Sequence, residues 1–144
     1  MSDQRKTMPM QLIVRTPDKK VLGAEISSMR VLLPDGWWGI LPGHAPMLSY
    51  LHSGIIHYAV ENEKRYIALY QGTIEVKKMP GESTQVLILT AAAEEGDSLT
   101  TVEANLEQQA AKLAAQAREA NREFNQLKLA LERSIQEADI TGIG

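Results

Sequence analysis

Thr73-Ile74-Glu75-Val76-Lys77-Lys78-Met79-Pro80-Gly81-Glu82-Ser83-Thr84-Gln85-Val86-Leu87-Ile88-Leu89-Thr90 reads as two strands around a turn. Ile74 and Val76 alternate with Thr73, Glu75 and Lys77, the period of a half-buried strand. Pro80-Gly81 turns the chain, because proline presets one dihedral and glycine tolerates what others cannot. Val86 to Thr90 closes the series. Upstream, the same period recurs. Met10, Leu12 and Val14 alternate with Gln11, Ile13 and Arg15 before Thr16-Pro17-Asp18 breaks the run. Ser28 to Leu33 is a second strand, ended by Pro34-Asp35-Gly36. Ile56, Tyr58 and Val60 alternate up to the polar turn Glu61-Asn62-Glu63, and Tyr66 to Tyr70 resumes. Many short strands at this spacing, with no helical pattern between them, predict an antiparallel β-sandwich or barrel.

The pattern stops near Gly96. All six prolines lie at or before Pro80, and neither Gly nor Pro occurs from Asp97 to Thr141. Ala, Glu, Gln, Leu, Lys and Arg fill that stretch, and these favour helix. Apolar or small residues at Val102, Leu106, Ala110, Leu113, Ala117, Ala120, Phe124, Leu127, Leu131, Ser134 and Ala138 recur at steps of three and four, a heptad seam with one small irregularity near its start. Ser98 or Thr100 suits an N-cap, with Glu103 as the capping-box partner of Thr100. The expected class is therefore α+β. Residues 1–96 form a sandwich domain, and residues 97–144 a C-terminal Ala-rich helical hairpin or one extended helix. A hairpin would bend near Ala117–Asn121; unbroken, residues 101–138 span about 57 Å.

Bulk properties narrow the function. The 144 residues are 44% hydrophobic and 23% charged, enough for a core. A net charge of -3, with basic residues scattered among acids, gives no bias toward nucleic acid. The absence of cysteine removes disulfides, zinc–thiolate sites and thiol nucleophiles. Met1 to Thr7 carries no signal-type apolar run, and Val86 to Ala93 falls far short of the roughly 20 residues of a spanning helix. No direct membrane insertion is expected.

No catalytic constellation stands out. His44, His52 and His57 have no acidic cluster beside them, and ordinary polar surface is the simpler reading than a metal site. His52 and His57 are five apart, which on one strand sets them on opposite faces. No Gly is followed by Lys, so there is no phosphate loop, and no nucleophile elbow occurs. Glu94-Glu95 beside the domain junction reads as a solvated linker rather than an acid–base pair. No cofactor and no metal are expected.

One segment is unusual. Between Asp35 and Leu48 lie Gly36, Gly39, Gly43, Pro42, Pro46 and both tryptophans. Gly and Pro set a tight, irregular path there. Trp side chains are favoured where proteins meet. Trp37 and Trp38, as neighbours on a strand, point to opposite faces, so both cannot enter one core.

Here the sequence resembles a known family. Gly36-x-x-Gly39-Ile40-Leu41-Pro42-Gly43-His44-Ala45-Pro46-x-Leu48 is similar to the signature of the epsilon subunit of F-type ATP synthases. So are Leu12-x-Val14-x-Thr16-Pro17, Gly54-Ile55-Ile56 and Gly72-x-Ile74-Glu75-Val76, in the same order. The resemblance implies a non-catalytic subunit at the foot of the central stalk. Its sandwich would bind the gamma subunit and the ring of c subunits, with Trp37, Trp38 and His44 at the ring. Its helical tail would dock or extend toward the alpha/beta catalytic subunits and restrain ATP hydrolysis, with Arg118, Arg122, Lys128 and Arg133 meeting acidic loops. A peripheral place on the cytoplasmic face of the bacterial plasma membrane follows.

Two departures from the family stand out. Where many relatives carry an acid near the c ring, this chain has Trp37. Members that bind ATP carry an Asp and an Arg where this chain has Thr100 and Glu103, and a carboxylate repels phosphate. A different class, a free adaptor dimerising through the seam, is weakened by Ala110, Ala117 and Ala120, since each buried methyl contributes only about 0.8 kcal/mol.

Overall fold

The computed structural model describes residues 9–141, with side-chain surroundings through Gln136. The Met1–Thr7 opening and the Ala138 side chain of the seam lie outside the described residues. Ten strands precede one helix: β1 (Met10–Arg15), β2 (Lys20–Glu25), β3 (Ser28–Leu33), β4 (Gly36–Ile40), β5 (Met47–Leu51), β6 (Gly54–Val60), β7 (Glu63–Leu69), β8 (Gly72–Met79), β9 (Ser83–Thr90), β10 (Ala93–Gly96) and α1 (Leu99–Thr141).

The strands form two five-stranded sheets, ordered β2-β1-β9-β8-β5 and β10-β7-β6-β3-β4. The expected hairpin is β8 and β9, paired antiparallel from Gly72 opposite Thr90 to Met79 opposite Ser83. Alternation decides which side chains go inside. Leu12 and Val14 of β1, Ile74 and Val76 of β8, and Val86 and Ile88 of β9 are buried and meet the inner residues of the other sheet in one cluster. Each such aliphatic, fully buried, contributes about 1.5–3 kcal/mol. One pairing departs from the antiparallel scheme: β1 and β9 run parallel, Met10 beside Thr84 through Arg15 beside Leu89. A parallel pair needs a long crossover. Here most of the sandwich lies between its two strands.

Strands β2, β4, β5 and β10 have no clear period in the sequence. Their burial is partial, so alternation is blurred, and hydrogen bonds to better-patterned neighbours hold them. The stretch expected as an irregular path is in part a strand, because Gly36–Ile40 pairs along Leu33–Met29. His52 and His57 do not share a strand; His52 follows β5 and His57 lies in β6.

The chain divides into two compact units, one through Gln108 and one from Gln109 onward. Helix α1 is continuous from Leu99 to Thr141, so no bend interrupts Ala117–Asn121. Ser98 caps it: the Thr101 amide donates to Ser98 Oγ at 3.3 Å and the Val102 amide to the Ser98 carbonyl at 3.1 Å. Thr100 therefore lies inside the first turn and is not the cap. Within the first unit, Val102 is 1% exposed. A Cβ placed on Gly96 would sit 3.2 Å from its Cγ1, so the bare glycine lets the helix root pack closely.

Candidate functional site

The tryptophan strand opens on Gly36, whose φ of 124° suits glycine, and leads to Gly43 at 88°. Gly39 has no such angle, and a Cβ there would meet nothing. The turn after β4 is pinned to the other sheet. The Gly43 amide donates to Oγ1 of Thr84 at 2.8 Å, and Thr84 is buried on β9. The His44 amide donates to the Leu41 carbonyl at 3.0 Å. The His44 Nδ1 lies 2.8 Å from the Ala45 carbonyl, which can only accept. Pro42 and Pro46 bracket this turn.

Trp37 and Trp38 part company, as strand geometry requires. Trp37 lies opposite Leu32 on the outer face and is 50% exposed; Trp38 lies opposite Val31 and is 38% exposed. Trp38 donates its indole N–H to Asp35 at 2.9 Å and lies 6.2 Å from the His44 ring. Trp37 belongs to an aromatic row. Its ring meets His57 edge-on at 6.0 Å, His57 meets Tyr66 at 5.4 Å, and the Arg30 guanidinium lies 5.4 Å from the Trp37 centroid. Arg30, His57 and Tyr66 stand side by side in register.

The outer face of the first sheet carries exposed Leu48 and Tyr50 from β5 and Leu89 from β9. Tyr50 is level with Thr73, Leu89 and Arg15 across four strands. An open groove of about 820 Å³ runs along this end, lined by Arg15, Tyr50, His52, Tyr70 and Leu89 among others.

In the second unit, Phe124, Leu127 and Leu131 of the seam and the neighbouring Ile135 are exposed, as are Arg118, Arg122, Lys128 and Arg133. Arg122 is paired with Glu119 at 3.7 Å, one turn away, and both are well exposed. Such a pair is worth about 0.3–0.5 kcal/mol. In the first unit, Thr100 and Glu103 are exposed near the start of α1.

One group was misread from the sequence. Glu95 is not part of a solvated linker: it sits on β10, opposite Ile67 of β7. Its Oε1 accepts from Tyr58 Oη at 2.6 Å and from Arg65 Nε at 2.5 Å. Burial pushes the Glu95 carboxyl up, but the hydrogen bonds from Arg65 and Tyr58 outweigh it and hold the group below its ordinary value. Burial, then the bond to Glu95, drive the Tyr58 phenol well above its usual range. Tyr58 and Arg65 lie 37 and 30 residues from Glu95 along the chain, so no local pattern links them.

Among the described residues, no three His, Cys, Asp or Glu side chains gather as a metal site would require, and no helix is long and apolar enough to cross a membrane.

Comparison with known proteins fits this architecture. Residues 9–96 match the family of the ATP synthase delta/epsilon chain, β-sandwich domain. The class so defined is the β-sandwich subunit of an ATP synthase. An ATP synthase epsilon chain of Bacillus cytotoxicus is 30% identical over 96% of this chain and 98% of its own length. One from Synechococcus elongatus is 40% identical over 66% of this chain and 67% of its own. This chain belongs to the epsilon chain family of F-type ATP synthases. A cryo-EM structure of the Euglena gracilis mitochondrial ATP synthase (OSCP, F1 and c-ring) matches 63% of this chain and 57% of the matching chain. Its TM-score is 0.54 at 22% identity, which supports the fold alone.

Proposed function

We propose that this subunit joins gamma to the c ring in the central stalk, and that its C-terminal helix restrains ATP hydrolysis by the alpha/beta subunits. It works as a non-catalytic part, held peripherally at the cytoplasmic face of the bacterial plasma membrane. The observation that carries the reading is the likeness to epsilon chains along nearly the whole chain, tail included.

The surfaces support it in detail. The outer face with exposed Leu48, Tyr50 and Leu89 fits gamma, because large apolar side chains left in solvent on one sheet face mark a contact. Half-exposed Trp37, with Trp38 and His44 close to the rigid turn, fits the c-ring loops through apolar and aromatic contact rather than an ion pair. Loop shape is set by Gly36, Gly43, Pro42 and Pro46. The tail presents apolar residues toward its end and small ones in its middle, so modest docking energy lets it exchange partners. Arg118, Lys128 and Arg133, with Arg122, meet acidic loops of beta subunits. Glu103 speaks against ATP binding by the tail.

Two measurements test this. Co-expressed with gamma, the chain should run as a single copy in a complex with it; a self-associated dimer that leaves gamma behind overturns the stalk reading. Deleting residues 98–144 should raise ATP hydrolysis by the assembled complex and spare ATP-driven ion pumping. Unchanged hydrolysis overturns the inhibitory role.

A further inference from the structure

Strand β10 is four residues long, lies at an edge of the second sheet, and is followed within three residues by the first residue of α1. Its backbone pairs with β7, from Ala93 opposite Leu69 to Gly96 opposite Tyr66. So short an edge strand frays easily unless side chains hold it. Glu95 supplies that hold. A single carboxylate oxygen takes a charge-assisted bond from Arg65 on β7 and a second from Tyr58 on β6. The clamp therefore ties β10 across two strands. Arg65 and Glu95 are 29% and 17% exposed in their side chains, so water competes weakly. The carboxyl stays ionised across the neutral range, so the clamp is intact there.

What lies just beyond gives the clamp its consequence. Gly96 continues the pairing, opposite Tyr66. Ser98 caps α1, and Val102 is buried with Gly96 beside it. The first turns of the helix are thus set by where β10 lies. We propose that Glu95, held by Arg65 and Tyr58, is the positioning residue of the tail: it fixes the origin of α1, so that the helix leaves the sandwich from one defined point. This rests on the reading of the tail as the regulatory element. A loosened β10 turns residues 93–98 into a free tether, and a tether dilutes the tail over many directions.

The test uses the full chain and the Glu95→Gln variant, which keeps shape and removes charge. Amide hydrogen exchange at neutral pH should quicken by roughly 10- to 100-fold in β10 and the first turn of α1, as losing a part-buried charge-assisted bond implies. Exchange in β8 and β9 should stay within about threefold, since they share no partner with the clamp. Tyr58→Phe, which leaves the ion pair, should give a smaller, roughly 10-fold rise in the same segment and serves if Glu95→Gln does not fold. The double variant Arg65→Glu with Glu95→Arg should restore protection. Unchanged exchange in β10, or an equal rise through β8 and β9, overturns the proposal. In the assembled complex, Glu95→Gln should move hydrolysis toward the level seen on deleting residues 98–144, and the double variant should bring it back. If deletion raises hydrolysis and Glu95→Gln does not, the positioning role falls while the inhibitory tail stands. If deletion itself changes nothing, the regulatory reading falls, and the exchange data still decide the clamp.

Discussion

Replacing Trp37 by Ala separates a surface contact from a structural one. Half of the Trp37 side chain is covered. A tryptophan carries roughly 200 Å² of buriable area, so about 100 Å² is at stake, or about 2.5 kcal/mol at 25 cal/mol/Å². A compact unfolded chain already hides part of that, which lowers the figure to about 2 kcal/mol. The edge contact with His57 and the Arg30 guanidinium over the ring add roughly 0.5–1 kcal/mol together at an exposed site. The isolated subunit should therefore lose about 2–3 kcal/mol. That exceeds the 0.5 kcal/mol usual for a surface change, because the ring lies against its own sheet. Urea unfolding followed by near-ultraviolet circular dichroism measures it, with Trp37→Phe as the control that keeps most of the stack. Retention of the stalk on the c ring, measured at a temperature where both forms are folded, reads the contact. A loss below about 0.5 kcal/mol refutes the stacking argument. Normal retention by a folded Trp37→Ala protein refutes the ring contact.

Thr84→Val removes the acceptor of the Gly43 amide in a part-buried bond, so stability should fall by about 0.5–1.5 kcal/mol and the Gly43 amide should exchange faster; Thr84→Ser should largely restore both, and equal behaviour of Val and Ser would sink the idea. A chain ending at Gln108 should melt cooperatively and above one ending at Glu95, which lacks Gly96 and the buried Val102; coincident melting curves would show that the helix root adds nothing. Glu95 has a lowered pKa, so its contribution is full above the ordinary carboxylate value of 4.5 and is lost as pH falls through the folded value beneath it. The stability advantage of the natural chain over Glu95→Gln should thus be largest near pH 7 and shrink as pH falls below about 4.5, and a pH-independent difference in urea midpoints would count against the ionised clamp.

The sequence carried the sandwich where alternation is strict. In β1, β3, β6, β8 and β9, buried residues alternate with exposed or half-buried ones through most of each strand, so period and core coincide. It did not carry β4, because Gly36 and Gly39 read as loop until the hydrogen bonds to β3 are seen. The helix was legible from the lack of Gly and Pro; whether it bends was not, since an Ala-rich stretch tolerates either course. Of the candidate site, the divergence of Trp37 and Trp38 followed from strand geometry alone. The row that holds Trp37 did not, because Arg30, His57 and, beyond His57, Tyr66 come from three other strands. Glu95 was missed for a related reason. Two adjacent glutamates look solvated when the residues that bind one of them lie on β6 and β7.

The parallel join of β1 to β9 also sets a timetable for synthesis. Met10 emerges from the ribosome early, and its neighbour Thr84 is among the last sandwich residues to follow. Until then β1 and β2 form only a hairpin, and a lone hairpin is marginal in water. Leu12 and Val14 stay without their β9 neighbours Val86 and Ile88 while nearly the whole domain is translated. Closing so long a loop makes folding slow relative to local contacts. The nascent chain is therefore exposed to chaperones and to wrong strand pairings throughout that interval, and the tail is made just as the sandwich first becomes able to close.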